Sequence, residues 1–127
     1  MAAKSGMLNL FKRRTERQLT GQEGEDDALQ HLQGHGLTLR ERNFLCKGGE
    51  IDLVMDERGT LVFVEVRKRA ISQYGGAAAS VTAKKQRRLI VAAQVYLRRY
   101  KMPPPCRFDV VAIDGTELSW LKNAIEA

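Results

Sequence analysis

The sequence predicts a single α/β domain in which a mixed β-sheet is flanked by helices. Three observations carry that expectation. One is the order of periodicities along the chain: a helical stripe, three extended segments, a long second helical stripe, then two short extended runs. Another is size. A chain of 127 residues buries roughly two-thirds of its unfolded surface, enough for one core without cross-links, and no internal repeat or second domain is evident. The third is composition. With 43% hydrophobic and 28% charged residues, the chain has globular proportions, which excludes a disordered protein.

Residues 1–19 lack sustained periodicity and read as a flexible basic arm, leaving 20–127 as the folded domain. Thr20-Gly21-Gln22-Glu23 offers an N-cap with a capping-box glutamate three residues on. Ala28, Leu29 and Leu32 then recur at helical spacing until Gly34 and Gly36 stop the helix. Leu37 to Phe44 alternates apolar and polar, as a half-buried strand does. After a turn at Lys47-Gly48-Gly49, Glu50 to Asp56 and Leu61 to Arg67 read as two strands joined around Arg58-Gly59. Residues 68–80 form a loop of polar and small residues.

Thr82 caps a long helix running to about Tyr100. Its core stripe is Leu89, Ala92, Ala93, Tyr96 and Leu97, and its outer face is basic. Pro103-Pro104-Pro105 forces an extended linker. Phe108 to Ile113 is an apolar strand, Asp114-Gly115 a turn, and Leu118 to Leu121 a last short strand. Asp109, between Phe108 and Val110, is expected to pair with a base on a helix in a structural role.

Several function classes are excluded early. No apolar run approaches the ~20 residues of a membrane helix, so no membrane role is expected. The apolar stretch Met7 to Phe11 is too short for a signal peptide and runs into Lys12-Arg13-Arg14. The expected location is therefore cytoplasmic. Cys46 and Cys106 are too few for a disulfide framework and lie in no C-x-x-C motif. His31 and His35 are four apart on the first helix, a spacing that can bind metal, but no third ligand accompanies them, so zinc is not expected.

The formal net charge is +6, and it is unevenly placed. From Val66 to Phe108 there is no acid, against eleven basic residues, among them Arg67, Lys68, Arg69, Lys84, Lys85, Arg87 and Arg88. Acids collect between Glu23 and Asp27 and between Glu41 and Glu65. Basic surface beside a small acidic group suits a polyanion held next to a metal or a general base; a solvated helix face with a basic tail is the plainer alternative.

The hairpin from Gly48 to Arg69 is the most informative segment. Alternation puts Leu61, Phe63, Glu65 and Arg67 on one face of their strand and Val62, Val64 and Val66 on the other. On the preceding strand Glu50, Asp52 and Val54 share a face, with Ile51 and Leu53 opposite. A two- or four-residue turn centred on Arg58-Gly59 sets Asp52 opposite Glu65 and Glu50 opposite Arg67 as a cross-strand ion pair; a three-residue turn would shift the register. Facing carboxylates repel. A proton on one of them relieves this, as does a nearby cation such as Arg67, or a divalent metal taking oxygen ligands and keeping several waters. Such a metal would polarise a phosphate and lower the pKa of an attacking water.

Gly48-Gly49-Glu50-Ile51-Asp52-Leu53-Val54 followed by Val62-Phe63-Val64-Glu65-Val66-Arg67 resembles the YraN family, bacterial proteins largely uncharacterised in function, endonuclease-like and similar to archaeal Holliday junction resolvases. Gly24-Glu25, Arg42-Asn43, Tyr74-Gly75, Val81 with Lys84-Lys85, Ala92-Ala93 with Tyr96-Leu97, and Arg107 to Val111 extend the likeness over residues 21 to about 121. The resemblance implies a restriction-endonuclease-like fold and a PD-(D/E)XK nuclease site. By that resemblance Glu25 is the helix acid, Asp52 the metal-binding aspartate, Glu65 the second metal ligand for Mg²⁺ or Mn²⁺, and Arg67 stands where a lysine is usual.

Arg67 remains protonated and cannot act as a base, but it can clamp a phosphate oxygen with two donors and stabilise transition-state charge. Lys68 points to the opposite face of a regular strand. Lys68, Arg69, Lys84, Lys85, Arg87 and Arg88 are expected to meet nucleic-acid phosphates rather than read bases, and Tyr74 to stack on a base or touch a phosphate. The expected function is a metal-dependent endonuclease acting on DNA, branched or damaged forms included, with RNA left open as a substrate; a homodimer would suit a symmetric junction. The rival is a module that binds nucleic acid on a nuclease fold without catalysis.

Overall fold

In a computed structural model the described residues are 16–69 and 76–127, with side chains from residue 22 onward. The elements are α1 (Glu16–Gly34), β1 (Thr38–Cys46), β2 (Gly49–Glu57), β3 (Thr60–Arg69), the single turn α2 (Gly76–Ala79), α3 (Ala83–Leu97), β4 (Cys106–Asp114) and β5 (Glu117–Leu121). One five-stranded sheet runs in the order β1-β2-β3-β4-β5. Only β3 and β4 are parallel, because their connection carries α2 and α3 across a face of the sheet. The architecture is the expected α/β sandwich around a mixed sheet, consistent with a restriction-endonuclease-like fold.

Two apolar layers hold it together. On one face α1 lays Ala28 and Leu32 against Leu53, Met55, Val62, Val64 and Val111. On the other, α3 lays Leu89, Ala92, Ala93 and Tyr96 against Ile51, Val54, Phe63 and Val110. β3 is the strand both layers share, and its alternation follows the sequence pattern: valines toward α1, Leu61 and Phe63 toward α3.

α1 is already helical at Glu16, ahead of Thr20. Glu16, Arg17, Gln18 and Leu19 are good helix formers and carry the helix through the local capping signal. Thr82 does cap α3, accepting the Lys85 backbone N–H at 3.3 Å; that helix ends at Leu97, with Arg98 as C-cap.

The β2–β3 turn is the two-residue one. Arg58 and Gly59 both have positive φ, 51° and 92°, the left-handed pair a tight hairpin needs, and Leu53 pairs with Val64 and Glu57 with Thr60. This is the register read from the sequence. The ladder stops at Leu53–Val64, however, and the face assignment on β2 needs correction. Ile51 packs beside Val54 in the α3-side layer, while Leu53 lies in the α1-side layer. Alternation is therefore broken at Asp52. Asn43, which the register of β1 sets opposite Asp52, has φ of 52°, an uncommon backbone for a residue other than glycine, so both strands leave regular geometry at the same level. Glu50 accordingly pairs with Leu45 on β1 rather than with Arg67.

Asp109 is structural, but not through a helix base. It is fully buried and accepts from Arg107 Nε at 3.0 Å, Trp120 Nε1 at 2.9 Å and the Asn123 backbone N–H at 2.8 Å. Its partners thus come from β4, β5 and the segment after them: Asp109 alternates with Val111 and Ile113 onto the α1 side of the sheet, away from the basic face of α3.

Candidate active site

The site forms where β2 and β3 part. With the ladder ended, the Val66 backbone N–H donates to Asp52 Oδ2 at 2.8 Å. The side chain thereby replaces a strand partner, which fixes its carboxylate beside Glu65. Glu65 is 8% exposed. Burial above all, and then the negative charge of Asp52, push its carboxyl up to about 8, against the pull of Arg67 and Lys85. Burial also raises Asp52, with Glu50 adding to it, while the Val66 N–H, a hydrogen bond with Glu65 and the Arg67 charge work in the other direction. Glu65 thus keeps its proton to higher pH than an ordinary glutamate, beside an aspartate that the same burial raises. Of the three remedies for facing carboxylates, the chain on its own uses two, a retained proton and a nearby guanidinium.

These two groups form the floor of a cavity of about 170 Å³ lined by Glu25, Glu50, Asp52, Glu65, Val66, Arg67, Lys85 and Arg88. Each wall has a local cause. Glu25 comes from α1, which approaches β3 closely because Gly24 has no side chain; a Cβ there would stand 3.0 Å from Lys68 Cβ. Burial chiefly, and Asp52 secondarily, raise the Glu25 carboxyl, opposed by Arg42 and by a hydrogen bond with Asn43. Arg42 Nη2 lies 3.6 Å from Glu25 and 2.8 Å from Asp26.

Lys85 and Arg88 come from α3, which rests directly on Gly49. A Cβ at Gly49 would collide with the Arg88 carbonyl oxygen and stand 2.9 Å from the Ala92 nitrogen. The glycine of the Gly49-Glu50 step thus sets the height of the basic helix above the acids. Arg67 completes the ring, its Nε donating to Ser80 Oγ at 3.0 Å.

The structure brings together Glu25, Asp52, Glu65, Arg67, Lys85 and Arg88. It does not bring Lys68 to them. Lys68 faces α1, where its Nζ lies 3.5 Å from Asp27 and 4.0 Å from Glu23, as strand alternation requires. Arg69, Lys84 and Arg87 are exposed and do not line the cavity. Tyr74 lies outside the described residues. Sequence reasoning missed Arg42, Asn43, Ser80 and the place of Glu50 in the cavity wall. The Arg42-Asn43 pair carried a signal in the motif, while Ser80 carried none, since its partner is thirteen residues away.

The donor set suits a divalent cation. Two convergent, buried carboxylates whose charges are both disfavoured are relieved by a dication as by a proton. Among the described residues no group of three His, Cys, Asp or Glu side chains converges on a metal position, so an ion here would take Asp52 and Glu65 from the protein and fill its remaining positions with water or phosphate oxygens.

Mixed sheet, flanking helices and acids at the parting of two strands together place the molecule in the restriction-endonuclease-like class of folds. The chain belongs to the uncharacterised protein family UPF0102, the YraN family, whose profile matches residues 24–113. It is 70% identical over 118 residues to a UPF0102 protein of Herminiimonas arsenicoxydans, covering 93% of this chain and 95% of that one. It is 66% identical over 114 residues to a UPF0102 protein of Janthinobacterium sp. (strain Marseille), covering 90% and 93%, and 55% identical over 121 residues to one of Cupriavidus pinatubonensis, covering 94% of each. Membership defines relatives and not a reaction. Among the described residues no helix is long and apolar enough to cross a membrane.

Proposed function

We propose that the protein is a divalent-metal-dependent endonuclease that hydrolyses phosphodiester bonds in DNA, branched or damaged DNA included. The observation that carries this reading is the cavity in which Asp52, Glu65 and Glu25 face Arg67, Lys85 and Arg88. Asp52 and Glu65 would hold Mg²⁺ or Mn²⁺. A bound ion of this kind supplies Lewis acidity toward a phosphate oxygen and an attacking water.

The chain's own residues do the rest. The Arg67 guanidinium binds a phosphate oxygen and opposes the charge that builds up in transfer. Glu25, whose carboxyl is raised by burial first and then by Asp52, orients the water and accepts its proton. Lys85 and Arg88 hold flanking phosphates from the α3 side. α1 brings an acid, Glu25, to the same cavity, so the DNA backbone is expected to lie toward the α3 side.

Cleavage of labelled duplex, four-way junction, flap and single-stranded substrates in Mg²⁺ or Mn²⁺ tests the proposal. Asp52→Ala and Glu65→Ala are expected to abolish cutting with the fold intact. If the unmodified protein cuts none of these substrates with either ion, the enzyme reading fails. One observation favours a second reading: Arg67 occupies the position where such sites usually have a lysine. A binding module would hold DNA with steep salt dependence, and Asp52→Ala and Glu65→Ala would leave its affinity unchanged.

A further inference from the structure

The role of Arg67 depends on where its guanidinium is aimed, and one contact decides that. Arg67 Nε donates to Ser80 Oγ at 3.0 Å. Ser80 is not free to turn: its own hydroxyl donates to the Ala77 carbonyl at 2.6 Å. Ala77 is anchored in turn. Its backbone N–H donates to Asp114 Oδ1 at 2.8 Å, and Asp114 ends β4 opposite Arg69 of β3, where the Gly115 N–H donates to the Arg69 carbonyl at 2.7 Å. A continuous set of hydrogen bonds thus runs from the end of β4, through α2, to the guanidinium at the cavity.

We infer that Ser80 is a positioning residue: it takes the Nε–H of Arg67 and so presents the two Nη groups, as a fixed pair, to a phosphate oxygen in the Asp52–Glu65 cavity. This rests on the reading of that cavity as a phosphodiester site. The chemistry follows from the shape of the group. A guanidinium is planar, with donors along two edges. Engaging Nε with the hydroxyl leaves Nη1 and Nη2 as the donors, and among the described residues neither has another hydrogen-bond or ion-pair partner. A lysine at position 67 has three donors on one freely rotating ammonium and no planar fork, so contact with Ser80 would not present a fixed pair of parallel donors. The arginine in the motif's lysine position and the serine thirteen residues later act as one unit.

Two readouts on the full chain separate this inference from the function it rests on. The first is the Arg67 Nε–H resonance, identified by its loss in Arg67→Lys. In the unmodified protein it should exchange slowly with solvent. Ser80→Ala should make it exchange at the rate of a free arginine, and Ser80→Thr, which keeps the hydroxyl, should restore protection. Equal exchange in the unmodified protein and in Ser80→Ala would overturn the inference whatever the enzyme does.

The second is Mg²⁺-dependent cleavage of DNA. Ser80→Ala should lower kcat about tenfold or more, with KM changed by less than about twofold, because the clamp acts on transition-state charge; Ser80→Thr should recover most of the rate. An unchanged kcat in a Ser80→Ala protein that has lost Nε–H protection would also overturn it. Absence of cleavage in the unmodified protein would instead sink the endonuclease reading, with the Nε–H result still deciding whether Ser80 holds Arg67.

Discussion

At the scale of single residues, the Asp52–Glu65 pair governs how the metal-free protein responds to pH. Glu65 has its folded pKa raised from 4.5 to about 8 by burial and by Asp52. Between those values the folded chain holds a proton that the unfolded chain has lost, so stability is highest at low pH and falls as pH rises through the window. Replacing the carboxyl with an amide removes the charge that burial penalises. Glu65→Gln is therefore expected to match the unmodified protein at pH 5 and to exceed its stability by about 2–4 kcal/mol at pH 8 in metal-free buffer. Urea denaturation at the two pH values checks this, and parallel pH profiles would refute it. Much of this was legible in the sequence. The two-residue turn at Arg58-Gly59 set Asp52 across from Glu65, although the alternation behind that reading fails at Asp52 itself. The Val66 N–H that holds Asp52 was not legible, because it is released only where the ladder stops.

At the scale of elements, the site depends on how closely two helices approach the sheet. Gly49 lets α3 rest on β2, and Gly24 lets α1 rest on β3. Gly49→Ala leaves no room against backbone, which cannot rotate away, so α3 must lift. We expect a loss of about 2–4 kcal/mol, in the upper range for overpacking, read as a lower urea midpoint with unchanged slope. A variant as stable as the parent would show that the helix does not bear on this residue. The sequence announced the helices and strands through period and turn chemistry. It did not announce the break of alternation at Asp52, which lies level with the left-handed Asn43 of the neighbouring strand, because a period of two carries no mark of where it lapses. The early start of α1 is of the same kind: a local cap at Thr20 was overridden by the helix-forming residues before it.

At the scale of the whole molecule, the +6 charge matters through its sidedness. The cations of α3 stand on the cavity side of the sheet, while Lys68 is spent on Asp27 and Glu23 across it. Charge counting along the chain put Lys68 and Arg88 in one basic stretch; strand alternation turned Lys68 away from Glu65 and Arg67, and the fold sets Arg88 on the cavity side. If phosphates are held by α3, Lys85→Ala and Arg88→Ala should each reduce the salt slope of DNA binding by about one, and Lys68→Ala should leave it unaltered. A Lys68 effect equal to theirs would place the polyanion elsewhere.

All of these expectations meet at the two carboxylates. Anomalous diffraction from crystals soaked in Mn²⁺ tests their role most directly. The account predicts a peak in contact with both Asp52 and Glu65, lost in Glu65→Ala. Occupied Mn²⁺ elsewhere with nothing between these two side chains, or a peak that persists without Glu65, would contradict it.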